Sequence, residues 1–288
     1  MKKKIIALMY DFDRTLATDD MQNFGFIPTV KMTPKEFWEK TEEFCEQNDT
    51  DRILGYMYIM IQEAKNNGIK MTRDWLKSQG KNVAFYKGVL DWFKRINDYG
   101  KSKGFNVEHY LITSGNKEIV EGTAIAKEFA HIFGCEYAFD QETGEAIWPI
   151  NMVNYTQKTQ YFFKISKGVY KNHEDNKVNE KTPVRRILYR NMIYFGDGMT
   201  DVPIMILVKN NGGTSIAVYK AGQEKKVASL FTDGRVNYVC KADYSEGKEL
   251  ETITKLVIDN IATQTELADA YEKKKKANGI LNNSSSRK

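Results

Sequence analysis

The stretch IIALMYDFDRTL, residues 5–16, is an apolar run that ends in two acidic residues separated by one phenylalanine. A short run of this kind is typical of a strand that is buried on both faces of a parallel sheet. Asp11 and Asp13 would then lie at the carboxyl end of the strand, where open α/β sheets place their functional groups. Carboxylates are costly to bury without a partner, and a cation is the natural one. Taken alone, the pair could equally begin a solvated turn.

A second apolar run has the same kind of ending. Residues 192–201 read MIYFGDGMTD, so that Asp197 follows a strand and Asp201 falls in the first turn of the next helix. Carboxylate oxygens suit a small hard cation, and no His or Cys cluster in the sequence competes for a softer metal. We therefore predict that Asp11, Asp13, Asp197 and Asp201 converge on one Mg²⁺ site.

The sequence LITSGN, residues 111–116, is a third strand end that precedes a helical pattern. The hydroxyls of Thr113 and Ser114, together with backbone N–H groups, are suited to holding phosphate oxygens. The same two residues could simply cap the helix, or could do both. Thr113 and Ser114 are therefore candidate phosphate ligands.

Apolar runs rich in β-branched and aromatic residues alternate with helical patterns along the chain. This order predicts an α/β fold with a doubly wound (Rossmann-like) parallel sheet as the catalytic core, formed by residues 1–17 and 106–265. The predicted strands are 5–10, 107–112, 192–195, 215–218 and 236–240. The predicted helices of the core include 116–129, 201–208, 223–231 and 249–261.

Residues 18–105 contain helix signals and no convincing strand. The clearest is Thr33-Pro34-Lys35-Glu36, in which Thr33 and Glu36 can form a capping box. We predict an inserted all-helical cap domain in this range, a hairpin at 137–149 around a Glu-Thr-Gly turn, and a disordered basic tail at 270–288.

Composition narrows the class of protein. The chain has 288 residues, 41% hydrophobic and 28% charged, with a formal charge of +5. The basic residues of the tail account for this excess, so no phosphate-tracking surface and no nucleic-acid partner are expected. Three widely spaced cysteines suggest neither a disulfide framework nor a zinc site and fit a reducing, cytoplasmic location. No run approaches the roughly 18 apolar residues of a membrane span, so no membrane partner is expected.

The motifs DFDRTL and GDGMTD, in this order and with a hydroxyl-bearing strand end between them, resemble those of the haloacid dehalogenase-like superfamily of hydrolases. The insert resembles the helical cap of its phosphoserine phosphatase-like and phosphoglycolate phosphatase-like members. The resemblance implies a Mg²⁺-dependent phosphatase for a small phosphorylated metabolite. Asp11 would be the nucleophile that forms an aspartyl-phosphate, and Asp13 the general acid and base.

The resemblance also implies a ligand set. Asp11, Asp197 and the backbone carbonyl of Asp13 would bind Mg²⁺, with Asp201 in support, while Thr113 and a lysine would hold the phosphoryl oxygens. Arg14 stands where many relatives have glycine, which leaves the local turn geometry open.

The phosphate-binding lysine is the least defined member of this set. We favour Lys158, because it lies at the start of a predicted helix, where a phosphate is well placed. Lys164 and Lys167 remain alternatives. Two rival functions also stay open: a phosphotransferase or phosphomutase on the same fold, and a non-catalytic phospho-acceptor or binding module.

Overall fold

The computed structural model describes residues 4–181 and 185–277, and a seven-stranded sheet lies at its centre. The strands are β1 (Ile5–Tyr10), β2 (Asn106–Asn116), β3 (Phe129–Phe139), β4 (Ala146–Asn151), β5 (Met192–Gly196), β6 (Thr214–Tyr219) and β7 (Tyr238–Lys241). Their order in the sheet is β4-β3-β2-β1-β5-β6-β7. All neighbours pair in parallel except β4, which pairs antiparallel with β3 at one edge. The predicted α/β class and parallel sheet are therefore confirmed.

The segment that follows β1 is helical, and the structure, which describes all of it, forms no strand there before β2. Its two longest helices, α3 (Pro34–Asn48) and α4 (Arg52–Asn66), pack against each other. The predicted capping box begins α3: the Thr33 side chain accepts the N–H of Glu36, and the Glu36 carboxylate accepts the N–H of Thr33. The helices of this insert are α1 (Met21–Phe24), α2 (Phe26–Thr29), α3 (Pro34–Asn48), α4 (Arg52–Asn66) and α5 (Arg73–Gln79).

The last helix before β2, α6 (Val89–Ser102), packs on the sheet and on the C-terminal helix. The indole N–H of Trp92 donates to the hydroxyl of Tyr10 in β1 (2.9 Å). Ala17 and Phe85 pair in an isolated bridge, so the chain leaves the core and returns to it at one point. We therefore propose that the cap ends near residue 85 and that α6 belongs to the core, although the sequence pattern places it in the insert.

Further helices cover the sheet, which leaves every residue of β1 buried. Helices α8 (Gln157–Lys167) and α10 (Val202–Asn210) pack together, and α10 also packs on β5 and β6. No helix within residues 4–181 and 185–277 combines the length and apolarity of a membrane-spanning segment. These helices are α7 (Lys117–Glu121), α8 (Gln157–Lys167), α9 (Asn176–Asn179), α10 (Val202–Asn210), α11 (Lys225–Thr232) and α12 (Glu249–Ala277).

The predicted helix at 116–129 is largely wrong. Only the five residues of α7 are α-helical there, and the chain then passes through a short 3₁₀ turn into β3. Helix α7 ends before Gly122, a residue that disfavours helix and that packs closely against the backbone of Lys77. Strand β3, FAHIFGCEYAF, is absent from the predicted strands: its isoleucine and four aromatic residues favour a strand, but glycine and alanine interrupt them. Pairing with β2 decides its conformation. The predicted hairpin is confirmed, since Tyr137 pairs with Pro149.

The predicted disorder from residue 270 is also wrong over residues 270–277, which continue α12. Apart from Tyr271, this part of the helix is built of alanine, glutamate and lysine, which favour helix without any apolar contact. An ion pair between Lys4 and Asp269 (2.7 Å) joins the helix to the start of β1. Residues 278–288, the rest of the predicted tail, lie outside the described residues.

Candidate active site

Three strand ends meet at the carboxyl edge of the sheet. Strands β2, β1 and β5 are neighbours and run parallel, so the residues that follow them come together. Asp11 directly follows β1, and its backbone N–H donates to the carbonyl of Phe195 in β5 (2.9 Å). Asp197 directly follows β5, and Ser114 lies near the end of β2. The distant motifs therefore form one site.

Lys158, in the first turn of α8, connects two of these motifs. Its ammonium lies 2.9 Å from Asp11 Oδ1 and 2.7 Å from Asp201 Oδ1, and the residue is 1% exposed. Burial acts to lower the pKa of Lys158, but the two carboxylates outweigh it and raise the pKa above its ordinary value. Lys158 is therefore a buried, permanently charged link between the first and last acidic motifs.

The two alternative lysines lie elsewhere. Lys164 pairs with Asp175 (2.6 Å), and Lys167 donates to the backbone carbonyls of Val178 and Glu180. Of the three candidates, Lys158 is the one that the structure brings to Asp11.

Asp201 is held from three sides. Besides Lys158, its Oδ1 accepts the hydroxyl of Tyr194 (2.6 Å), and its Oδ2 accepts the backbone N–H of Asp197 (3.2 Å). Gly196 makes room for this carboxylate, since a Cβ there would lie 2.3 Å from Asp201 Oδ2. Sequence reasoning did not single out Tyr194. The available signal was a hydroxyl inside a fully buried strand, because such a group needs a partner.

Asp11, Asp197 and Asp201 each offer an oxygen within 4.8 Å of the others. Burial, and then the charge of Asp201, raises the pKa of Asp11 to about 7 in spite of Lys158. Burial likewise raises the pKa of Asp197. Three carboxylates thus share one ammonium, and the negative charge is only partly offset. A set of hard oxygen donors at this spacing fits a small divalent cation.

Asp13 lies beside this cluster. Its Oδ1 accepts the N–H of Met21 at the start of α1 (2.8 Å). Its Oδ2 faces Gly115, where a Cβ would lie 3.0 Å away. Burial, and then the charges of Asp20 and Asp11, raises the pKa of Asp13. The cluster of three does not include the Asp13 carboxylate, so any contact of Asp13 with a metal would be made by its backbone carbonyl.

The two hydroxyls at the end of β2 differ in their surroundings. Thr113 is fully buried, and its Oγ1 accepts the N–H of Gly115 (3.0 Å). Ser114 lines the central cavity, and its hydroxyl has no hydrogen-bond partner among the described residues. A buried hydroxyl without a partner is costly unless a ligand or water meets it. Thr113 therefore shapes the turn, and Ser114 presents the available hydroxyl.

Arg14 adopts a left-handed conformation with φ of 57°. This conformation is easier for glycine than for arginine, which explains why glycine is suited to this position. The guanidinium binds Asp20 (2.6 Å) and Asp19 (3.4 Å), and these contacts help to offset the strain. Arg14 does not simply face solvent, since it forms part of the cavity wall.

A cavity of about 970 Å³ lies between the sheet edge and the insert. Asp11, Asp13 and Lys158 line it from the core, and Trp38 and Tyr56 line it from α3 and α4. The Tyr56 hydroxyl also donates to the backbone carbonyl of Ser114 (2.7 Å). The insert thus covers the acidic cluster and contacts the loop that carries Ser114.

Comparisons with known proteins agree with this arrangement. The family model for haloacid dehalogenase-like hydrolases matches residues 8–205. An uncharacterized protein of Borreliella burgdorferi is 26% identical over 277 residues, which cover 86% of this chain and 95% of the relative.

Two solved structures show the same fold at low identity. A substrate-bound phosphoserine phosphatase complex aligns with a TM-score of 0.53 and 13% identity, over 88% of this chain and 99% of its own. A probable phosphoserine phosphatase from Vibrio cholerae aligns with a TM-score of 0.55 and 10% identity, over 91% of this chain and 67% of its own. The family match spans the strand ends that carry Asp11, Ser114 and Asp197 as well as Lys158, and the chain belongs to the haloacid dehalogenase-like hydrolase family.

Proposed function

We propose that the protein is a Mg²⁺-dependent phosphomonoester hydrolase that acts on a small phosphorylated metabolite through an aspartyl-phosphate on Asp11. The observation that carries this proposal is the contact of Lys158 with both Asp11 and Asp201. It brings three separate parts of the chain to one point in a cavity of metabolite size. The phosphoserine phosphatases among the structural neighbours add support at the level of the fold.

Asp11 is the proposed nucleophile. A carboxylate in line with a phosphoryl group can displace the leaving alcohol, and the covalent intermediate divides one difficult step into two easier ones. Lys158 orients the Asp11 carboxylate by a hydrogen bond to Oδ1. The same ammonium would offset negative charge on the phosphoryl oxygens in the transition state.

Asp13 is the proposed general acid and base. The N–H of Met21 occupies Oδ1, which leaves Oδ2 as the atom that would give a proton to the leaving oxygen. The same atom would then accept a proton from the water that hydrolyses the aspartyl-phosphate. Because Met21 lies in α1, the insert helps to orient this carboxylate.

Asp11, Asp197 and the backbone carbonyl of Asp13 would hold the magnesium ion, with Asp201 as a supporting residue. When bound, Mg²⁺ supplies positive charge that lowers the repulsion between an anionic nucleophile and an anionic phosphate ester. Asp201 is already engaged by Lys158 and Tyr194, so its principal role in this scheme is to position Lys158 and the Asp197 loop.

Ser114 is the proposed hydroxyl ligand of the phosphoryl group, because its Oγ is buried at the cavity without a partner among the described residues. Thr113, which the resemblance puts forward, is fully buried and is not among the residues that line the cavity. We therefore assign phosphate binding to Ser114 and Lys158, and a positioning role to Thr113.

The first test is hydrolysis of p-nitrophenyl phosphate by the purified chain with Mg²⁺. Activity should be lost in excess EDTA and return when Mg²⁺ is added back. Full activity in EDTA, measured after extensive chelation, would contradict the metal role.

A second measurement separates hydrolysis from phosphoryl transfer. A hydrolase releases inorganic phosphate and p-nitrophenol in equal amounts, also when glycerol or a sugar is present as an acceptor. A deficit of phosphate that grows with the acceptor concentration would favour the phosphotransferase alternative. A panel of phosphorylated metabolites would then identify the preferred substrate.

A further inference from the structure

The cavity extends from the acidic cluster to the segment that joins β6 to α11. Lys220, Gln223 and Lys226 line this far wall. Both lysines are exposed, and Gln223 is half-buried. No role in phosphoryl transfer requires them, since Lys158 already supplies the ammonium at Asp11.

The other cations in the cavity wall are engaged. Arg14 binds Asp20 (2.6 Å), Arg52 binds Glu42, and Lys158 lies between its two carboxylates. On the cap side of the cavity, the guanidinium of Arg52 is therefore already neutralised by Glu42.

Lys220 and Lys226 differ from these cations, because within residues 4–181 and 185–277 neither has a carboxylate oxygen within 4.0 Å of its ammonium. Two uncompensated ammonium groups in a cavity attract an anion and repel a cation. They stand on the core side, on the segment after β6, and not on the cap.

We propose that Lys220 and Lys226 bind a second anionic group of the substrate, at the opposite end of the molecule from the phosphoryl group that reacts. This inference rests on the proposed phosphatase function and specifies its substrate class: a phosphomonoester that carries a further carboxylate or phosphate. Gln223, which lies between the two lysines in the sequence, adds a polar side chain to the same wall of the cavity. The cap then closes over the middle of the substrate.

The sheet sets the distance between the two anionic groups. Gly196, next to Asp197, pairs with Ala217 in β6, and Lys220 follows three residues later. Strand β6 is two positions from β1, which corresponds to roughly 10 Å across the sheet. A substrate that reaches from Asp11 to this segment is therefore closer in length to a phosphorylated hexose than to a two- or three-carbon phosphate ester.

The test compares three sugars that share one phosphate: glucose 6-phosphate, 6-phosphogluconate and glucose 1,6-bisphosphate. The wild-type protein should have a higher kcat/KM for 6-phosphogluconate, for glucose 1,6-bisphosphate or for both than for glucose 6-phosphate. Comparing the first two shows whether the subsite prefers a carboxylate or a second phosphate. In the double variant Lys220→Gln/Lys226→Gln the preference should fall by about tenfold, since a partly exposed ion pair contributes up to about fivefold. The wild-type preference should also fall as NaCl is raised.

Two further variants make the result specific. Lys225 is an exposed neighbour that does not line the cavity, so Lys225→Gln should keep the wild-type preference. A wild-type protein without preference, or a preference that survives in the double variant, overturns the inference. A preference that is lost in Arg52→Gln and kept in the double variant assigns the second anion to the cap and also overturns it.

Failure of the proposed function gives a different pattern. If no phosphate ester is hydrolysed with Mg²⁺, the phosphatase assignment fails. Calorimetric affinities of the intact protein for the same three sugars then decide on Lys220 and Lys226: tighter binding of the sugars with two anionic groups, lost in the double variant, supports the subsite, and equal affinities reject it.

Discussion

Tyr10 and Asp11 are adjacent in the chain, yet they belong to two buried polar clusters of opposite character. In the first cluster the indole N–H of Trp92 donates to the Tyr10 hydroxyl, which donates to His109 Nδ1 (3.0 Å). His109 Nε2 in turn lies 3.0 Å from Asn97 Oδ1. Because the amide oxygen of Asn97 can only accept, the proton of the neutral imidazole lies on Nε2, and Nδ1 is left to accept the Tyr10 hydroxyl. Each of these bonds joins neutral groups, and burial keeps the His109 ring neutral.

The second cluster is charged, and its charges do not balance. Asp11, Asp197 and Asp201 lie close to one another, and the buried ammonium of Lys158 pairs with only Asp11 and Asp201. A satisfied neutral network fixes the packing of β1, β2 and α6, whereas an unbalanced carboxylate cluster is unfavourable until a cation or ligand completes it. The difference shows how buried polar groups that serve stability can be told from those that serve function: the former are complete without a ligand.

The largest expected effect is on activity and comes from Asp11→Asn. Loss of the nucleophile should lower kcat/KM for p-nitrophenyl phosphate by about 10⁴-fold or more. Because the change also removes one of three like charges, the melting temperature in EDTA should not fall by more than ~2 °C. Both values are measured on the same preparation. Substantial turnover by a folded variant would move the nucleophile to another residue.

The sequence predicts the charged cluster well because its members lie at strand ends that local patterns reveal. Apolar runs followed by acidic residues locate Asp11 and Asp197, and the start of a helix locates Lys158. The parallel order of strands then brings them together. Sequence alone does not give the partner of each group, which is why Tyr194 and the free hydroxyl of Ser114 emerge only from packing.

The neutral cluster could not be predicted in the same way. Tyr10, Trp92 and His109 come from two strands and a helix that the pattern assigned to the cap, so nothing local indicates that they meet. Strand β3 was missed for a related reason: its mixture of strand-favouring residues with glycine and alanine gives no clear pattern, and its pairing with β2 is not visible in the sequence. Non-local contacts are the information that a pattern of residues lacks.

The second prediction removes the cation of the charged cluster. Lys158→Gln leaves the buried carboxylates uncompensated, which should lower the free energy of unfolding in EDTA by about 3 kcal/mol. Mg²⁺ should restore part of this loss, because it binds the folded state. Chemical denaturation with and without Mg²⁺ measures both effects.

The matched control is Lys164→Gln. Lys164 is also buried, but its partner Asp175 is exposed and stays solvated when the ammonium is lost, so the loss should be smaller. An equal loss in the two variants, independent of Mg²⁺, would mean that Lys158 has only a packing role.

The third prediction concerns pH and the neutral cluster. Burial lowers the pKa of His109 from 6.5 to about 3, so between these values the unfolded chain binds a proton that the folded chain does not. Stability from this residue is therefore complete above pH 6.5 and is lost as the pH falls. The loss between pH 7 and pH 5 should be about 2 kcal/mol.

Carboxylates also titrate between pH 7 and pH 5. The contribution of His109 to the pH dependence of stability is therefore obtained by comparing the wild type with a histidine variant. His109→Gln keeps a donor and an acceptor without a charge, so its stability should depend less on pH than that of the wild type. The exposed His173→Gln serves as the control. Parallel pH profiles for wild type and His109→Gln would show that protonation of His109 is not coupled to unfolding.

The smallest effects provide the most direct comparison, because the same hydroxyl is removed from each cluster. Tyr10→Phe leaves Trp92 Nε1 and His109 Nδ1 without partners and should cost between about 1 and 2 kcal/mol of stability. Tyr194→Phe removes one bond from Asp201, which keeps its contacts with Lys158 and the backbone of Asp197, so the cost should be nearer to 1 kcal/mol. The activities should differ in the opposite sense: a few-fold loss of kcat/KM for Tyr194→Phe, through a less restrained Asp201, and little change at fixed folded concentration for Tyr10→Phe. If both variants lose activity only in proportion to their unfolded fraction, neither hydroxyl contributes to catalysis. The catalytic requirement would then be confined to the charged side chains of the second cluster.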